Sequence, residues 1–179
     1  PSLEEVKGAL RHGRAWMKPR RAGVGKWFQP ARAQVLPQPL GVVGIIVPWN
    51  YPLYLAIGPL VAALAAGNRA MVKMSEFTPG FSALLQRLCE QAFTPEELCI
   101  VTGGPEVAAQ FSALPFDHLL FTGSTPVGRK VMSAAAANLT PVTLELGGKS
   151  PAVVAPGYPL AHAVERILAG KLLNAGQTC

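Results

Sequence analysis

Cysteine and histidine are scarce in this 179-residue chain, at three each. Cys89, Cys99 and Cys179 are too few and too irregularly spaced for a disulfide framework. His12, His118 and His162 lie far apart and show no metal-ligand spacing. No metal is expected, and a reducing, cytoplasmic compartment is. The opening Pro1-Ser2-Leu3-Glu4-Glu5 lacks a basic-then-apolar leader, which points the same way. Charge is sparse too, at 15% of residues against 50% hydrophobic, the reverse of a disordered composition. Glycine and proline, at 18 and 17 residues, fall short of the ~25–30% that marks low-complexity chains. A globular chain with an ample core and many turns is what remains.

A membrane-spanning run is also missing. No charge occurs between Arg32 and Arg69, but Pro48-Trp49-Asn50-Tyr51-Pro52 splits that stretch into two apolar pieces. Neither reaches the ~20 residues a spanning helix needs. The net charge of +6 is concentrated at one end. Residues 1–36 hold eight Lys and Arg against Glu4 and Glu5, and the remainder balances. That basic arm carries no nucleic-acid motif, and basic runs are commonly solvated faces, so neither nucleic acid nor membrane is an expected partner.

What is present is a regular alternation. Ser2 and Glu5 match a capping box, so a helix is expected over 3–18, ended by Pro19. Residues 19–40 read as an irregular arm with a short strand at 33–36. From there strands are expected at 41–47, 70–74, 98–101, 118–122, 142–145 and 152–155. Helices are expected at 53–66, 79–93, 105–114, 124–137 and 160–174. Strand-then-helix repeats predict an α/β fold: an open, mostly parallel, Rossmann-like sheet with helices on both faces. The expected organisation is a helix and basic arm (1–36), a nucleotide-binding α/β domain (37–158), and a helix and loop leading onward (159–179). Ligands of such sheets bind beyond the carboxyl ends of the strands.

Five places near those ends carry chemistry. Gly123-Ser124-Thr125-Pro126-Val127-Gly128 is a glycine turn opening a helix, suited to phosphate. Its G-x-x-x-x-G spacing is neither the dinucleotide fingerprint nor a P-loop, so a plain capped helix is an equal reading. Lys73 and Glu76 can meet ribose hydroxyls, or form a surface ion pair of little consequence. Glu145, among apolar residues and before Gly147-Gly148, suits a buried carboxylate of raised pKa acting as a base. Its alternative is a carboxylate capping backbone N–H groups. Cys179 follows Gly176-Gln177-Thr178, where a thiolate can be exposed and activated, whereas Cys89 and Cys99 read as inert core residues. Asn50 can donate to an oxyanion or bond its own loop.

In this order, Pro48-Trp49-Asn50-Tyr51-Pro52, Val72-Lys73-Met74-Ser75-Glu76, Phe121-Thr122-Gly123-Ser124-Thr125, Thr143-Leu144-Glu145-Leu146-Gly147-Gly148-Lys149-Ser150-Pro151 and Gly176-Gln177-Thr178-Cys179 resemble the aldehyde dehydrogenase superfamily. Trp16-Met17-Lys18-Pro19-Arg20-Arg21 and the wording around Asn50 resemble its coniferyl aldehyde branch. The resemblance implies Cys179 as nucleophile and Asn50, with the Cys179 N–H, as oxyanion donor. It implies Glu145 as the base that activates water against a thioester. Lys73 and Glu76 would hold the adenosine ribose. Gly123 and Ser124 would meet the pyrophosphate, Val127 would line the adenine pocket, and Gly128 would permit close packing. Ile46, Val47, Pro48, Trp49, Leu146 and Gly147 would border the cofactor. NAD is favoured over NADP, because Glu76 repels a 2′-phosphate, though Lys73 softens that repulsion and leaves NADP open.

The family carries a further catalytic region beyond this cysteine, with a second ribose-binding carboxylate and an oligomerisation strand. The chain is therefore expected to be part of a longer homo-oligomeric enzyme acting on a small-molecule aldehyde, with apolar surface exposed where that region would pack. Two alternatives stand beside this reading: a non-catalytic nucleotide-binding module, and a CoA-acylating relative, which Glu145 argues against.

Overall fold

The computed structural model describes residues 1–179. Its elements are α1 (Ser2–Trp16), β1 (Arg20–Ala22), β2 (Ala33–Val35), β3 (Val42–Ile46), α2 (Pro52–Ala65), β4 (Arg69–Lys73), α3 (Pro79–Ala92), β5 (Leu98–Val101), α4 (Pro105–Ser112), β6 (His118–Gly123), α5 (Thr125–Ala136), β7 (Val142–Leu146) and α6 (Leu160–Leu172). Strands β3 to β7 form one parallel sheet in the order β5-β4-β3-β6-β7. The chain builds outward from β3 through β4 to β5. It then crosses back to lay β6 on the other side of β3. This reversal is a topological switch point at the carboxyl ends of β3 and β6, where open α/β sheets form the crevice that takes ligands.

Strand periodicity explains why both faces are covered. Alternate side chains of a strand point to opposite faces. Val43, Ile45 and Val47 enter one core with Ala56 and Leu60 of α2, Val72 of β4 and Leu85 of α3. Ile46 enters the other, with Phe111 of α4, Leu119 and Phe121 of β6, and Val131 and Ala135 of α5. A strand buried on both sides must read as an unbroken apolar run, as 42–47 does.

Four expectations fail. No capping box forms: Pro1 occupies the cap position, and no side chain bonds the first turn. Glu5 instead turns toward α2, where an ideal Cβ on Gly58 would lie 2.8 Å from its Oε2. The arm is more ordered than expected, because β1 and β2 pair antiparallel, Arg20 opposite Val35. The strand expected at 152–155 is absent: the segment pairs with no strand of the sheet, and Val153 is 88% exposed. Glu145 is exposed rather than buried, at the outer strand of the sheet. Of α6 only Ala163 is buried, leaving Leu160, Val164, Leu168 and Leu172 exposed. No helix is long and apolar enough to cross a membrane.

Candidate active site

The carboxyl ends of four adjacent strands deliver the site residues. β3 runs out into Val47-Pro48-Trp49-Asn50, and the Val47 N–H bonds the Lys73 carbonyl at 3.0 Å. Ile46 and Val47 are buried, Pro48 and Asn50 half-buried, and Trp49 exposed. Pro52, with its fixed φ, starts α2 directly after this loop.

β4 ends in Lys73, which is 2% exposed. Its ammonium donates one hydrogen bond, to the Met74 carbonyl at 2.7 Å, and stands 3.8 Å from Glu76 Oε2. Burial lowers the Lys73 pKa, and the nearby Glu76 carboxylate opposes that shift. This is not the surface ion pair that sequence alone allowed. A buried ammonium with donors to spare fits a polar group arriving from the crevice.

β6 ends in Gly123, and Ser124 is the N-cap of α5. The Ser124 side chain makes no capping bond, so the first-turn N–H groups of α5 stay open to an anion. Val127 is exposed on that turn, and Gly128 is buried beneath it. An ideal Cβ on Gly128 would stand 2.9 Å from the Leu146 side chain and 3.5 Å from Phe121. A small residue here lets α5 lie this close to the sheet, and a bulkier one would push against Leu146 and Phe121.

β7 pairs Glu145 with Thr122 and Leu146 with Gly123, placing Glu145, Leu146 and Gly147 beside the β6 terminus. The segment after α6 then folds back over the sheet edge. The Gly148 N–H donates to the Cys179 carbonyl at 2.8 Å. Asn50 Nδ2 donates to the Gln177 carbonyl at 2.6 Å, and the Tyr51 hydroxyl meets Thr178 Oγ1 at 2.7 Å. Cys179, exposed and unpaired, is thus tethered to the Asn50 loop and to the loop following Glu145. Cys89 is buried, and burial pushes its thiol up.

Sequence reasoning missed Tyr51, Asn174, Gln177 and Thr178 as the tethers of this loop. It also missed Gly103-Gly104-Pro105, where β5 passes into α4 next to the Lys73 strand. That strand–glycine–helix pattern repeats the one at Gly123 and was available to be read.

The pattern of the aldehyde dehydrogenase family matches residues 4–179. The chain belongs to the aldehyde dehydrogenase family. It is 61% identical over its whole length to a probable coniferyl aldehyde dehydrogenase of Pseudomonas aeruginosa, and spans 38% of that protein. Among solved structures, AldH of Staphylococcus aureus in its substrate-bound state is 41% identical, with a TM-score of 0.94 over 99% of this chain and 39% of that one. An NAD-dependent aldehyde dehydrogenase from Sinorhizobium meliloti is 36% identical, with a TM-score of 0.86 over 99% of this chain and 35% of that one. The chain therefore spans somewhat over a third of the aldehyde dehydrogenases it matches.

Proposed function

We propose that the longer protein containing this chain oxidises an aldehyde to a carboxylic acid with a nicotinamide dinucleotide, and that this chain supplies the cofactor half, the nucleophile and the base. The observation that carries this reading is the tethering of the Cys179 loop to Asn50 and to Gly148, beside the crossover crevice. Asn50 follows β3, Glu145 lies near the end of β7, and Cys179 is carried by the loop after α6 that bonds the Asn50 loop and Gly148; a nucleophile, an oxyanion donor and a carboxylate are the parts acyl chemistry requires.

The dinucleotide would lie with its pyrophosphate at Gly123 and Ser124. Its adenosine ribose would meet Lys73 and Glu76, and Val127 would flank the adenine. Residues 46–49, Leu146 and Gly147 would border the cofactor. When bound, the nicotinamide supplies the hydride acceptor.

The Cys179 thiolate adds to the aldehyde carbon, and the carbonyl electron pair moves onto oxygen. The Asn50 amide and the Cys179 N–H stabilise that oxyanion. As the oxyanion collapses, hydride leaves the same carbon and a thioester to Cys179 remains. Glu145 takes a proton from water, which attacks the thioester, and the acid departs as the thiolate returns. The substrate class is an aldehyde; the similarity to a probable coniferyl aldehyde dehydrogenase favours aromatic ones.

NAD is the preferred cofactor, because Glu76 accepts from a 2′-hydroxyl and repels a 2′-phosphate. The 179-residue chain alone is expected to turn over little or no aldehyde, because it spans only 38% of a related dehydrogenase. The test is aldehyde-dependent NADH formation by the full-length protein. Loss of turnover in Cys179→Ala, with cofactor binding retained, supports the mechanism. Turnover that survives the substitution overturns it.

A further inference from the structure

We infer that Asn174 is a positioning residue that locks the oxyanion-donor loop to the nucleophile loop; the inference rests on the proposed reading of the site. Asn174 Nδ2 donates to the backbone carbonyl of Asn50 at 2.9 Å, and Asn50 Nδ2 donates to the Gln177 carbonyl at 2.6 Å. The two bonds run in opposite directions between the two loops and clamp one to the other. One bond fixes the backbone from which the Asn50 side chain hangs. The other occupies one of the two Asn50 amide protons and thereby aims the second.

The backbone around Asn174 gives this bond a reason to exist. Asn174 sits at φ 51, ψ 41 and Ala175 at φ 56, ψ 31, both left-handed, followed by Gly176 at φ 75. Asparagine tolerates that region, whereas alanine is strained in it. Strained residues persist where their surroundings over-determine them. Here the surroundings are the bonds from Asn174, Gln177 and Thr178 to the Asn50 and Tyr51 loop. The turn converts the end of α6 into a loop that delivers Cys179 beside Asn50, and the Asn174 amide holds that turn to the loop it serves.

The test uses the full-length protein. Asn174→Gly keeps access to the left-handed backbone and deletes the amide. Asn174→Asp keeps the shape and replaces the donor by a carboxylate facing the Asn50 carbonyl. In both variants kcat should fall about tenfold or more. Cofactor affinity and the rate of Cys179 alkylation by iodoacetamide, which needs no oxyanion site, should stay within about twofold of the parent. Amide hydrogen exchange at Asn50, Tyr51 and Gln177–Cys179 should accelerate, with the sheet unchanged. Unchanged exchange in Asn174→Gly overturns the clamp whatever the activity. Parental kcat in that variant overturns the positioning role, as does a parallel loss of cofactor binding and alkylation. A full-length parent that never reduces NAD with aldehyde sinks the functional reading instead, and the exchange result still decides the clamp.

Discussion

The Lys73 ammonium stands 3.8 Å from Glu76 Oε2, beyond hydrogen-bond reach, although Lys73 is almost wholly buried. A buried cation with a distant carboxylate and one carbonyl partner is under-satisfied in the protein by itself. Its desolvation is costly to the fold and suits a ligand that brings hydroxyl groups.

Lys73→Met should therefore weaken NAD binding by about tenfold or more without lowering the melting temperature, since removing a buried charge removes its desolvation cost. The pH dependence follows from the lowered Lys73 pKa. Between its folded value and the ordinary 10.5, the unfolded chain binds more protons than the folded one, so stability rises with pH. Wild type should gain on Lys73→Met as pH climbs from neutrality toward that ordinary value. Urea midpoints measured on both proteins across that range check it, and a constant difference between them would refute the assignment.

Glu76 is exposed and faces the same ribose site. Glu76→Gln keeps a hydrogen-bond acceptor and removes the negative charge. The NAD over NADP preference should shrink by about tenfold, chiefly through tighter NADP binding, because one unit of like-charge repulsion is lost. Titrating both cofactors into both proteins measures it. A preference untouched by the substitution would move cofactor choice elsewhere.

Glu145 is the expected water-activating base, yet it is exposed in this chain. Glu145→Gln should still form the thioester and release one burst of NADH per site. It should then stall, with steady-state turnover down about a hundredfold or more. Undiminished steady-state turnover, with acyl-CoA as product when CoA is supplied, would favour thiol release of the acyl group and remove Glu145 from the mechanism.

The sheet was legible because burial on both faces forces unbroken apolar runs, and because Gly and Pro punctuate every strand and helix from Gly41 to Gly148. The strand-end chemistry followed from that layout: Lys73, Gly123 and Glu145 each stand where a parallel strand ends. What escaped was tertiary. The β1–β2 pairing joins segments ten residues apart without a turn signal that local spacing reveals. The 152–155 run is apolar and β-branched in part, but whether such a run joins a ladder depends on where it lies in three dimensions, which its own spacing does not encode. The bond from Asn174 to Asn50 spans 124 residues, and no local pattern encodes a contact at that separation.

Gly128 tests whether the α5 N-terminus must approach the sheet as closely as it does. Gly128 lies in the first turn of α5, and its Cα faces Leu146 and Phe121, with 2.9 Å between an ideal Cβ and the Leu146 side chain. Leu146 is flexible enough to yield to one methyl, so Gly128→Ala should cost about 1 kcal/mol or less. Gly128→Val adds two more carbons against the same pair and should cost about 1–3 kcal/mol, by the usual penalty for overpacking. The larger side chain lifts the helix N-terminus, and Gly123 and Ser124 with it, so NAD affinity should fall more in Val than in Ala. Denaturant midpoints and NAD titrations on both variants read the two effects separately. A valine variant that is destabilised but binds NAD like wild type would detach the α5 N-terminus from pyrophosphate binding.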